Sequence, residues 1–129
     1  MSLWVLLLLQ VVSGVLSGPD PAQMEKAPDL GYTPVLANIT LPDGMKMGAP
    51  SSVAVDARGH LLVFNRGEHP LIELDQKGVF VRAFGDGQYV RPHGMRIDPD
   101  GNIWTTDVNG HTVTKLSPTG TVLDRKSVV

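Results

Sequence analysis

The chain has 129 residues, with 11 Lys and Arg against 13 Asp and Glu and a formal charge of −2, so no basic face argues for nucleic acid. It contains no cysteine, which removes disulfides, thiolate metal sites and cysteine nucleophiles and leaves metals to His, carboxylate, carbonyl or water ligands. Ten prolines and fourteen glycines favour many turns over long helices.

Residues 1–17 carry an apolar run through Leu3, Leu9, Val12 and Leu16, and the first charge comes at Asp20. The run is too short and interrupted for a membrane span of about 20 residues. It has the length of a signal-peptide core, followed by the small residues Ser13, Gly14, Ser17 and Gly18. A signal peptide is expected at 1–17, with export to the periplasm or the outside of the cell and no stable membrane span. An uncleaved anchor or a buried core segment are the alternatives. Residues 18–47 are rich in Pro, Asp and small residues and read as a linker that includes a first short strand at 36–41. Asn38-Ile39-Thr40 is a sequon, which makes Asn38 a candidate glycosylation site.

The rest of the chain, 48–129, repeats itself with a spacing of 42 and no gap. Asp56 falls on Asp98, Gly59 on Gly101, His69 on His111, Leu74 on Leu116 and Gly78 on Gly120. Strands are predicted at 52–56, 60–65, 71–75 and 79–84, and again at 94–98, 102–106, 112–117 and 121–124. Each hairpin turn ends on a glycine that tolerates positive φ. Four short strands per period in the low forties make one blade of a β-propeller, so the fold class is all-β. Two blades are too few to close a ring, and the sequence reads as a partial propeller.

His93 lies between Pro92 and Gly94 at the start of a blade's first strand. It offers one imidazole, whereas catalytic zinc takes about three protein ligands plus water; a hydrogen-bonded turn residue is the alternative. Arg66 carries a permanently charged guanidinium suited to gripping a carboxylate or a developing oxyanion. A salt bridge with Glu68 is its simpler role. His69 and His111 share a repeat position, which favours packing or turn chemistry over function. Asp56, Asp98 and Asp107 read as turn caps. Phe64, Phe80, Phe84 and Trp104 are expected between blades, and Val53 and Met95 look like plain strand core.

The segment from Pro92 to Asp107 is similar to the start of an NHL-repeat blade. Ser52-Val53-Ala54-Val55-Asp56, Val63-Phe64-Asn65-Arg66-Gly67-Glu68-His69 and then Pro92-His93-Gly94 with Val108, His111, Val113 and Lys115 resemble the peptidyl-α-hydroxyglycine α-amidating lyase family. The resemblance implies a six-bladed propeller and a zinc-dependent lyase that splits a peptide ending in α-hydroxyglycine into peptide amide and glyoxylate. It implies one zinc ligand at His93, a catalytic role for Arg66, and structural calcium on the backbone carbonyls of Val53 and Met95. Asn65, where the family often has His, and Pro70, where it has Val or Trp, depart from the pattern. The remaining zinc ligands and an acid–base tyrosine would lie on blades outside these two. The chain is therefore expected to be an amino-terminal piece of such a lyase, inactive alone. The alternatives are a non-catalytic, secreted NHL-repeat module that binds a protein or glycan, and a scaffold that completes its ring by self-assembly.

Overall fold

A computed structural model describes residues 30–33 and 39–128. The expected signal peptide and Asn38 lie outside the described residues. Residues 30–33 are exposed and join no strand. Among the described residues no helix is long and apolar enough to cross a membrane.

Eight strands follow one another: β1 (Pro50–Val55), β2 (Leu61–Asn65), β3 (Leu71–Leu74), β4 (Phe80–Phe84), β5 (Pro92–Ile97), β6 (Ile103–Asp107), β7 (Thr112–Leu116) and β8 (Val122–Ser127). They form two antiparallel four-stranded sheets, β1-β2-β3-β4 and β5-β6-β7-β8, which are the two blades. The turn after each first strand is built by its aspartate. Asp56 Oδ1 accepts from the N–H groups of Arg58 (2.8 Å) and His60 (2.9 Å), and Gly59 closes the turn at φ 77°. Asp98 repeats this with Asp100 (3.1 Å), Asn102 (2.8 Å) and Gly101 at φ 82°. A residue with a Cβ would be strained at either glycine.

The sheets pack face to face through Leu62, Phe64 and Leu71 of the first blade and Met95, Ile103 and Leu116 of the second. Each such side chain contributes about 1.5–3 kcal/mol through burial. Tyr89, from the connection between blades, packs edge-on against Phe64 at 4.8 Å and shares a hydrogen bond with Thr105 Oγ1. The other face of the first blade, Val63, Ile72 and Leu74, is covered by Leu41 and Met47. Met47 and Tyr89 are 42 positions apart and do the same job on successive blades. Thr40 also bridges the edge of the first sheet, donating to Gly78 O and accepting from the Phe80 N–H, both at 2.9 Å.

Two expectations need correction. Val53 is 56% exposed whereas its repeat partner Met95 is 2% exposed, so Val53 is not core. Met95 faces the first blade, and no described blade stands against the equivalent face at Val53. Trp104 is likewise 38% exposed rather than enclosed between blades, because it lies on the outer face of the second blade. Its indole N–H donates to Asp98 and Lys115 sits over its ring at 5.0 Å.

Candidate functional site

The site is organised by Asn65, the last residue of β2, which is wholly buried. Its Oδ1 accepts from the N–H groups of Gly48 (3.0 Å) and Gly67 (2.8 Å), and its Nδ2 donates to the carbonyls of His69 (2.8 Å) and Pro70 (3.1 Å). The amide thus ties the residues before β1 to the loop that carries Arg66. The backbone of Arg66 adds a bond to Ala49 O at 3.0 Å. Gly48 and Gly67 touch backbone to backbone: a Cβ on Gly48 would fall 2.2 Å from Gly67 N and 2.7 Å from Arg66 C. Neither atom can swing aside as a side-chain tip could. Gly48→Ala should therefore lower stability by about 2–3 kcal/mol, as overpacking does, read as a lower urea midpoint with an unchanged slope.

The Arg66 side chain crosses to the second blade, where Nε donates to Pro92 O at 3.2 Å. Glu68 does not pair with it; both residues are exposed and no ion pair joins them. Pro92 immediately precedes His93. In β5, Pro92 pairs with Asp107 and Gly94 with Thr106, which leaves His93 as the extra residue of a β-bulge. Bulges re-aim side chains and interrupt pairing. His93 is exposed, and its ring makes no hydrogen bond among the described residues. β1 has the same bulge, where Ser51 instead donates to Phe64 O at 3.1 Å. The fold thus brings Arg66 against the backbone beside His93, at one end of the two blades.

Of the two carbonyls that the resemblance assigns to calcium, Met95 O is already engaged. Met95 O accepts from Arg96 Nη1 at 2.9 Å and lies 3.5 Å from Ser52 Oγ. A cation at that carbonyl competes with the guanidinium. Asp107 is a buried cap that accepts from the N–H groups of Val90, Arg91 and Gly110. Burial pushes its carboxyl up, but these N–H donors outweigh that and hold it below the usual range.

The family model for the NHL repeat matches residues 89–116, most of the second blade. Over 67% of its length the chain is 32% identical to peptidyl-alpha-hydroxyglycine alpha-amidating lyase 2 of Drosophila melanogaster, and covers 27% of that protein. Over 55% of its length it is 31% identical to the peptidyl-glycine alpha-amidating monooxygenase of Mus musculus, and covers 10% of it. The chain is a homologue of the amidating lyases. It spans about a quarter or less of the length of these curated relatives. A protein of unknown function from Bacteroides caccae shares the fold alone, with a TM-score of 0.51 and 13% identity over 58% of this chain and 27% of that one.

Against this homology, the departure at Asn65 is a structural substitution: all its polar atoms are engaged in holding the Arg66 loop. A second polar centre, unforeseen from the sequence, surrounds Glu73. This carboxylate is 0% exposed and accepts from Arg58 Nη2 (2.6 Å) and Arg82 Nε (2.6 Å), with His60 Nδ1 at 2.7 Å. Burial pushes Glu73 up, but the hydrogen bonds from His60 and Arg82 and the two guanidinium charges bring it below the usual carboxylate range. Asp56, His60 and Glu73 offer metal-type atoms within 4.8 Å of one another. Arg58 Nη2, however, lies 2.6 Å from both Asp56 and Glu73, so a guanidinium already fills the cation's place. The cluster borders a cleft of about 540 Å³ between the blades. That cleft reaches Asp56 and Ile97, beyond the far ends of β1 and within the end of β5, away from Arg66 and His93.

Proposed function

We propose that this chain supplies one corner of a peptidyl-α-hydroxyglycine lyase site, with Arg66 as the substrate-binding guanidinium and His93 as one metal ligand. The observation that carries the reading is the Arg66 Nε to Pro92 O bond, which holds the two motif residues at the same end of adjacent blades. In the reaction the substrate hydroxyl loses its proton, its oxygen becomes the carbonyl of glyoxylate, the N–Cα bond breaks, and the departing amide nitrogen gains a proton. No water is consumed. Arg66 would grip the substrate's terminal carboxylate through the guanidinium nitrogens not committed to Pro92.

The His93 ring, exposed and without a hydrogen bond among the described residues, fits a single zinc ligand. A zinc ion there would act as a Lewis acid on the substrate hydroxyl. The other three histidines do not join it: His60 and His69 hold carboxylates, and His111 lies on the β6–β7 connection. One imidazole falls short of the usual three protein ligands, so the chain alone is expected to lack turnover. Calcium on the carbonyls of Val53 and Met95 remains part of the proposal and requires Arg96 to leave Met95 O. Export, by the signal peptide at 1–17, belongs to the same reading.

The test uses the full chain. An α-hydroxyglycine-extended tripeptide should bind weakly, shift the backbone NMR signals around Arg66, and yield no enzymatic glyoxylate. Arg66→Lys keeps the charge but loses the planar fork, and should weaken that binding about tenfold. The amidated product, which lacks the carboxylate, should bind both forms equally. Unchanged affinity of Arg66→Lys for the extended peptide would defeat the assignment.

Among the described residues no cluster of metal-type ligands includes His93, which favours a second reading, a non-catalytic binding module for a protein or glycan. Peptide binding that ignores added zinc and survives His93→Ala would support it.

A further inference from the structure

His69 and His111 occupy the same repeat position but are not equivalent in the structure. His69 Nδ1 lies 2.9 Å from Asp86 Oδ2, a contact between the β2–β3 loop and the β4–β5 connection. Its backbone carbonyl is held by Asn65 Nδ2 at 2.8 Å. His111 has neither device. The residue 42 positions after Asp86 is Val128, the one after Asn65 is Asp107, which cannot donate, and His111 takes φ 49° with its carbonyl accepting from Val128 N. Repetition of the blade therefore does not account for the His69–Asp86 pair.

A carboxylate on Nδ1 selects the tautomer with its proton there and leaves Nε2 as an acceptor. No described residue partners Nε2. His69 lines a recess of about 230 Å³ between the 44–48 segment and the 67–69 loop, on the same Gly48–Gly67 contact that seats Arg66. Met45 and Met47 give it an apolar stretch, Lys46 a cationic donor and Glu68 a second acceptor. An acceptor at His69 Nε2 suits an N–H donor on a ligand, and Lys46 on the same lining can donate to a neighbouring carbonyl or carboxylate.

We infer that His69 is a ligand-facing imidazole that accepts a hydrogen bond from a main-chain N–H of a bound peptide, with Asp86 as the residue that positions it. The identity of the ligand as a peptide rests on the lyase reading above; the fixed tautomer does not.

Imidazole nitrogen NMR on the full chain tests both parts. Without ligand, the His69 ring should show the Nδ1–H tautomer, and Asp86→Asn, a mild change at an exposed site, should turn it into a tautomer mixture. Adding the α-hydroxyglycine-extended tripeptide should shift His69 Nε2 with the same midpoint as the backbone signals. His69→Gln and Asp86→Asn should weaken the peptide about five- to tenfold, the worth of one hydrogen bond, while His111→Gln changes nothing. An Nε2–H tautomer in the unaltered chain overturns the inference. So does a peptide that binds in an Arg66-dependent way yet leaves the His69 ring and the His69→Gln affinity untouched, and that outcome spares the lyase reading. A chain that binds no peptide overturns both.

Discussion

Arg82→Ala is expected to destabilise the chain by about 3 kcal/mol at pH 7, the lower end of what breaking a buried ion pair costs. Arg82 Nε holds the fully buried Glu73 at 2.6 Å, and its two other nitrogens donate to Pro118 O and Thr119 O of the second blade, each at 2.7 Å. The guanidinium also covers the Phe84 ring at 4.7 Å. One side chain thus neutralises a buried charge and clamps the blades together. Truncation leaves Glu73 Oε2 buried without its partner, and Arg58 and His60 on the other oxygen offset only part of the loss. Replacing both members with apolar residues, Glu73→Leu with Arg82→Met, should recover most of the stability, since no charge is then buried alone. The pH dependence follows from the lowered folded-state value of Glu73. Such a group adds stability above its unfolded value, about 4.3 for glutamate, and loses that contribution as pH falls through the lower folded value. The gap between unaltered chain and Arg82→Ala should therefore be widest near neutrality and shrink at pH 3. Urea midpoints at the two pH values check it, and a gap that does not change with pH would refute the account.

What could be read in the sequence was whatever a repeat unit settles within itself. The turns at Asp56 and Asp98 are local: an aspartate caps two N–H groups and a glycine takes positive φ, so their positions were evident. Burial was not, because it depends on a neighbour. Val53 and Met95 are equivalent by repeat, yet one is open and the other enclosed, since only Met95 has a described blade against it. Trp104 differs from its counterpart Leu62 for the same reason. The bulge at His93 is a property of strand register, which neither sequence shows alone. Glu73 carried a usable signal: a carboxylate inside the apolar run of β3, with Arg58 and Arg82 on neighbouring segments. The repeated histidines misled in the other direction. Shared position suggested shared structure, while Asp86, the residue that distinguishes His69, lies 17 residues away.

Asn65 and Asp107 hold equivalent positions with opposite demands. Both tie the segment before a first strand to the end of a second one, Asn65 through Gly48 and Asp107 through Val90. Asp107 meets only N–H donors, which a carboxylate suits. Asn65 meets two donors and two carbonyls, which only an amide satisfies. Asn65→Asp changes almost no volume, yet sets a buried charge against His69 O and Pro70 O, and should cost about 3 kcal/mol. Asp107→Asn turns an NH2 toward N–H groups and should cost about 1–3 kcal/mol. The two variants should part company with pH. The new carboxyl of Asn65→Asp is stabilised by protonation, which removes the charge and restores one donor, so its penalty should fall at pH 4 relative to pH 7. Asp107 is held below the usual range in the unaltered chain, so the cost of Asp107→Asn should stay near its full value until lower pH. Because the Asn65 amide also anchors the loop between Arg66 and Pro70, Asn65→Asp should blunt the peptide-induced NMR shifts of His69 as well. Equal stability of Asn65→Asp and the unaltered chain at pH 7 would mean that the loop is held by something other than this amide, and the placement of Arg66 beside His93 would lose its physical basis.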